Sequence, residues 1–235
     1  MKILAIESSG LVAGVAVVED GRTLAEYNVN HKKTHSQTLL PMLDEVSRMI
    51  GLDLSTVDAI AVSGGPGSFT GLRIGSATAK GLGLALDLPI AAVPTMEALA
   101  YNVCGVPELV CPIMDARGGQ VFNGLYRSLG SHMETIAGQR IIGMNDLIDE
   151  LNERGEAVIF LGDGIPIHRE KIAAQMKAPY SFAPAHQNAQ RAAALGTLAM
   201  KYLADGKTVS AADHVPEYLR MSQAERERAQ KEKNK

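Results

Sequence analysis

Lys2-Ile3-Leu4-Ala5-Ile6-Glu7-Ser8-Ser9-Gly10, then Gly14-Val15-Ala16-Val17-Val18-Glu19-Asp20-Gly21, then Thr23-Leu24-Ala25-Glu26-Tyr27-Asn28-Val29, is the stretch on which the fold turns. Three short β-type runs stand here without room for a helix between them, and Glu19-Asp20-Gly21 is a tight hairpin signal. The spacing predicts three consecutive antiparallel strands, Lys2 to Ile6, Gly14 to Val18 and Thr23 to Val29. A helix from about Ser36 to Ile50 follows, then a strand Ala59 to Val62, a Gly-rich loop, a helix from about Gly71 to Leu86 and a strand Ile90 to Val93.

Three strands followed by α-β-α-β is the order of a ribonuclease-H-like half. After Pro94 it recurs more loosely: a helix Thr95 to Val103, strands Leu109 to Met114 and Val121 to Tyr126 around a Gly118-Gly119 turn, and a strand near Arg140 to Ile142. A helix Asn145 to Glu153, a strand Ala157 to Leu161, and helices Pro166 to Met176 and Asn188 to Ala204 complete it. Two such halves predict an α/β protein of the actin-like ATPase (ASKHA) superfold, with mixed sheets flanked by helices. Residues 1–100 form the first subdomain, completed by a C-terminal helix, residues 101–204 the smaller second one, and residues 205–235 a C-terminal segment with a charged tail. From Gln223 that tail has almost nothing to bury and is expected to be a solvated end.

The 235 residues are 46% hydrophobic, enough for a sizeable core. Net charge is only -3 and the cations are scattered, which gives no electrostatic footprint for holding RNA directly. The apolar run at the start is too short for a signal peptide, and no stretch approaches the roughly 20 apolar residues that cross a bilayer. Cys104 and Cys111 lack metal or redox spacing and read as buried reduced thiols, consistent with a cytoplasmic chain.

Ser63-Gly64-Gly65-Pro66-Gly67-Ser68-Phe69-Thr70-Gly71 follows a strand and opens a helix, a context in which backbone N–H groups can cradle phosphate. It lacks the Gly-Lys-Ser/Thr end of a Walker loop and the dinucleotide glycine spacing, so a structural turn is the preferred reading. In the next helix each interior glycine costs roughly 1 kcal/mol relative to Ala. Gly71, Gly75, Ala79 and Gly83 form one smooth ridge and Ala77, Gly81 and Ala85 a second, so two neighbours can approach closely. In the preceding helix, Leu39, Leu40, Met42, Leu43, Val46, Met49 and Ile50 cover about half the circumference at about 100° per residue. Either the two helices pack on each other or they form an association surface, with Leu39, Met42, Phe69, Leu72, Arg73, Gly75, Ser76 and Ala79 as candidate contacts. On the second reading Gly75→Leu or Ala79→Leu leaves the monomer folded and blocks association.

Ile3 to Ser9, His35 to Leu43, Asp58 to Val62, Gly65 to Gly75, Ala79-Lys80-Gly81, Asp115-Ala116-Arg117 and Pro216-Glu217-Tyr218-Leu219-Arg220 together resemble the TsaB family over nearly the whole chain. That family contributes to making threonylcarbamoyladenosine in tRNA. Its catalytic relative TsaD, of the same actin-like fold, binds metal through two histidines of an HxEGH-like stretch. Here the stretch is Val93-Pro94-Thr95-Met96-Glu97-Ala98-Leu99, and Thr95 and Leu99 stand where the histidines would be, without an imidazole to offer.

The resemblance implies a non-catalytic chain that binds and activates a TsaD-like subunit, pairs with itself when alone, receives a TsaE-like ATPase on the heterodimer, and meets tRNA only through the complex. It implies no cofactor or metal in the isolated chain, with room for ATP or ADP in the assembly. The alternative is a stand-alone actin-like ATPase or metallopeptidase. His31-Lys32-Lys33-Thr34-His35 has the spacing of two helical metal ligands, but its lysines and the lack of a third ligand favour solvated histidines. Glu7 reads as a turn carboxylate, and Asp115 with Arg117 as an ion pair fixing the Gly118-Gly119 turn. No Ser-His-Asp or Cys-His arrangement is legible.

Overall fold

In the computed structural model, residues 1–31 and 35–220 are described. In chain order the elements are β1 (Lys2–Glu7), β2 (Ala13–Glu19), β3 (Arg22–Val29), α1 (His35–Ile50), β4 (Ala59–Gly65), α2 (Phe69–Leu86), β5 (Ile90–Pro94) and α3 (Thr95–Tyr101). There follow β6 (Leu109–Arg117), β7 (Gln120–Leu129), β8 (His132–Gly143), α4 (Met144–Arg154), β9 (Val158–Leu161), α5 (Ile165–Gln175), β10 (Tyr180–Phe182) and α6 (Ala192–Ala204).

The first sheet has the order β3-β2-β1-β4-β5, with β1 antiparallel to β2 and parallel to β4. As the central strand, β1 is covered on both faces, which is why its apolar run is unbroken. Leu4 and Ile6 face α1 and α2, while Ile3 and Ala5 face α6 and Ala98 of α3. The hairpin from β2 to β3 turns through Asp20 (φ 48°) and Gly21 (φ 76°), left-handed positions that suit these two residue types.

The second sheet has the order β10-β9-β6-β7-β8. Cys111, Ile113, Val121 and Leu125 pack on α4 and α5, and the opposite face, with Val110, Met114 and Phe122, takes Met96 and Leu99 of α3. Thus α3 is wedged between the two sheets. Beyond α6 an irregular strap, residues 205–220, returns across the molecule. Val209 exchanges both backbone hydrogen bonds with Ile90 at 2.9 and 3.0 Å, and Lys80 Nζ donates to the carbonyls of Ala212 and His214 at 2.8 and 3.0 Å. The Glu217 amide then donates to Gly64 O at 2.7 Å, and Arg220 reaches Arg117 O at 3.4 Å.

The structure departs most from the sequence expectation in three places. β8 runs over twelve residues rather than three, because it is an edge strand whose exposed polar positions hide its period. β10, only three residues long, is held by parallel pairing to β9. α6 starts at Ala192 rather than Asn188, since Asn188 accepts the Gly162 amide through both its carbonyl and its side chain, and Glu26 of β3 pairs with Arg191 and accepts the Ala193 amide of the first turn at 2.9 Å.

Candidate functional site

α2 owes its course to Ser68, whose hydroxyl accepts from the Gly71 amide at 3.3 Å and caps the helix. The ridge of Gly71, Gly75, Ala79 and Gly83 turns inward, where Gly75 lies against Ser8 and Gly83 against Ala211. The second ridge, Ala77, Gly81 and Ala85, faces outward, and a β-carbon at Gly81 would meet nothing within 4 Å. Of the eight expected contact residues, Leu39, Met42, Leu72, Gly75, Ser76 and Ala79 are closed inside the protomer, Leu72 at 1% exposure. Residues buried this deeply offer a partner little area, so these six serve first to pack the core of the protomer, Met42 also lining a groove beside α1. A side chain at Gly75 would meet the Ser8 hydroxyl, so Gly75→Leu is expected to disturb the monomer itself.

Phe69 and Arg73 remain at the surface. Around them the outward face carries Ala77, Gly81 and Leu84, the last 63% exposed, and α1 exposes Leu40 and Met49, the latter 70% exposed. The strap supplies a residue that spacing alone did not reveal. Tyr218 packs on Phe69 with ring centroids 4.8 Å apart, and Arg73 lies over the Phe69 ring at 4.0 Å while its Nε donates to the Tyr218 hydroxyl at 3.3 Å. The sequence signal was present in the Pro216 to Arg220 run, but nothing in its spacing placed it beside Gly67 to Arg73. An open groove of about 870 Å³ also runs between β3 and α1, lined by Tyr27, Val29, Met42 and Met49 among others.

The Gly-rich loop is an opening turn. Its Ser68 amide donates to Ser9 O at 2.7 Å, the Ser8 hydroxyl donates to Gly71 O at 2.9 Å, and Gly67 is packed on Ser9. Glu7 is buried beside it, its Oε1 accepting from the Ser9 amide and hydroxyl at 2.7 and 2.5 Å and from the Ser63 hydroxyl at 3.1 Å. Burial raises its pKa, against the lowering effect of these hydrogen bonds. Such a carboxylate organises a turn and has no open side for substrate.

Thr95 and Leu99 are 0% and 1% exposed within α3. Among the described residues no group of three or more His, Cys, Asp or Glu is placed to hold a metal. His35 is a tie rather than a solvated residue: Nε2 lies 3.0 Å from Gly10 O and joins α1 to the turn after β1. His31 is exposed, and Lys32 to Thr34 lie outside the described residues, as does the tail from Met221. Asp115 fixes its turn by accepting the Arg117 amide at 2.9 Å, and Asp163, which accepts the Asp115 amide at 3.3 Å, is pushed up to about 6 by burial and by Asp115. Both cysteines are free, Cys111 buried and Cys104 partly exposed.

A family model described as TsaD, tRNA N6-adenosine threonylcarbamoyltransferase, matches residues 23–228. The tRNA threonylcarbamoyladenosine biosynthesis protein TsaB of Bacillus subtilis is 35% identical over 228 residues, 96% of each chain. The tRNA N6-adenosine threonylcarbamoyltransferase of Kosmotoga olearia is 32% identical over 130 residues, 48% of this chain and 39% of that one. The solved structure of YeaZ from Pseudomonas aeruginosa superposes with a TM-score of 0.77 at 29% identity, covering 93% of this chain and 99% of that one. A polyphosphate/ATP-glucomannokinase from an Arthrobacter strain shares the fold at a TM-score of 0.51 and 12% identity. With two halves of one actin-like fold and a relative aligned from end to end, the chain belongs to the TsaB family of tRNA threonylcarbamoyladenosine biosynthesis proteins.

Proposed function

We propose that this chain is the non-catalytic subunit of a threonylcarbamoyltransferase pair, binding a TsaD-like catalytic subunit and holding it in its active form. The observation that carries this reading is the burial of Thr95 and Leu99: where a metal-binding relative would present two imidazoles, this chain packs a hydroxyl and an isobutyl group into its core. The partner surface is the outward face of α2 with its open Gly81 ridge, extended by exposed apolar residues of α1. A TsaE-like ATPase joins the assembled pair, where ATP or ADP binds. The tRNA is held through the complex, in keeping with a net charge of -3 on this chain. Alone, the chain pairs with itself through the same face, and it works in the cytoplasm.

Sedimentation of the purified chain mixed with a purified TsaD-like subunit tests this reading. A 1:1 heterodimer whose tRNA modification requires both proteins supports it. Independent sedimentation, or tight ATP or divalent-metal binding with turnover by the single chain in calorimetry, would sink it.

A further inference from the structure

The outward face of α2 is electrostatically one-sided. From Phe69 to Leu86 the helix carries Arg73 and Lys80 and no carboxylate, although the whole chain is net negative. Lys80 is committed to the strap carbonyls of Ala212 and His214. Arg73 is not neutralised: no carboxylate among the described residues pairs with it, and the nearby strap acids are engaged elsewhere, Asp213 with the Ser210 hydroxyl and Glu217 with Gln139. An exposed arginine ordinarily samples many rotamers. This one lies over Phe69, 4.0 Å from the ring centroid, with its Nε taken by Tyr218, which leaves its two terminal nitrogens without a partner among the described residues.

We infer that Arg73 is the charged anchor of the partner surface, taking a carboxylate side chain of the TsaD-like subunit, and that Tyr218 of the strap is the residue that positions it. The inference rests on the heterodimer reading above. A planar fork suits bidentate carboxylate recognition, and an unneutralised arginine on this face selects a carboxylate on the partner. The small residues beside it let a partner helix come close enough for that pair to form. The strap is then part of the binding apparatus as well as a tie between the two sheets.

Calorimetric titration of the purified TsaD-like subunit into variants of this chain, at two salt concentrations, tests the inference. Arg73→Glu is expected to weaken binding about tenfold or more, Arg73→Lys less, and Tyr218→Phe, which retains the ring stack, within about threefold. Tyr218→Ala weakens binding alone, but the Arg73→Glu/Tyr218→Ala double variant is no weaker than Arg73→Glu, because a positioning residue has nothing left to position. Additive losses would assign Tyr218 a purely structural role and overturn that part. Wild-type affinity for Arg73→Glu, with the heterodimer otherwise forming, would overturn the inference and leave the heterodimer reading standing. A wild-type chain that does not bind the subunit at all overturns both.

Discussion

The hydroxyl oxygen of Ser8 occupies the place that a β-carbon on Gly75 would need, so the turn after β1 and the inner ridge of α2 are in direct contact. The same hydroxyl donates to Gly71 O at 2.9 Å, which leaves it little freedom to move aside. Gly75→Ala is therefore expected to destabilise the monomer by about 1–2 kcal/mol, overpacking outweighing the gain in helix propensity. In a Ser8→Ala background the loss shrinks. Urea unfolding of the four proteins in this cycle measures it, and equal losses in both backgrounds would disprove the contact.

Gly81 is the counter-case on the same helix. With nothing near its absent side chain, Gly81→Ala raises stability by about 0.5–1 kcal/mol through helix propensity alone. A fall in the unfolding midpoint would mean that this face is covered in the monomer.

These two glycines show how much of the molecule was legible in advance. Their four-residue spacing on α2 gave two smooth ridges, and the β-type runs from Lys2 to Val29 gave the first sheet. Spacing could not say which ridge faces inward, because that depends on Ser8, more than sixty residues away in sequence. For the same reason spacing leaves open whether Leu39, Met42 and Leu72 meet the protein's own core or a partner: a wide apolar arc is the same pattern whichever covers it. Tyr218 escaped because an irregular strap has no period, and its place beside Phe69 is set by backbone bonds to Gly64 and by Lys80.

Glu26 makes part of the fold acid-sensitive. Burial works against its charge, but Arg191, the Ala193 amide and Asn28 prevail and hold its pKa below the usual carboxylate range. Its stabilising contribution is present above the unfolded value of about 4.3 and is lost as pH falls through the folded one. Glu26→Gln should lower stability at neutral pH and flatten the decline on acidification. Parallel stability–pH curves for the two proteins would contradict this.

Glu7 has the opposite sign. With its pKa raised by burial, its contribution is greatest at low pH and falls away as pH rises through the folded value. Glu7→Gln keeps the Oε1 that accepts all three hydrogen bonds and removes the buried charge. The melting temperature at pH 7.5 should be equal or higher, and the variant should still support tRNA modification. Loss of modification by orders of magnitude would make Glu7 catalytic.

Lys80 holds the strap by two carbonyls. Lys80→Met should lower the melting temperature by about 2–4 °C, in line with losing about 1 kcal/mol in a chain of this size, and speed amide exchange over residues 209–217. Unchanged protection there would show that the strap is held by other contacts.

The partner role through the outward face of α2 is tested most directly by reconstituted threonylcarbamoylation of tRNA with a TsaD-like subunit, adding either this chain or its Gly81→Leu variant. The expected result is modification with the wild-type chain, and at least a tenfold lower rate with a variant that melts at or above the wild-type temperature yet no longer co-sediments with the subunit. Equal rates with both proteins, or with neither present, would contradict it.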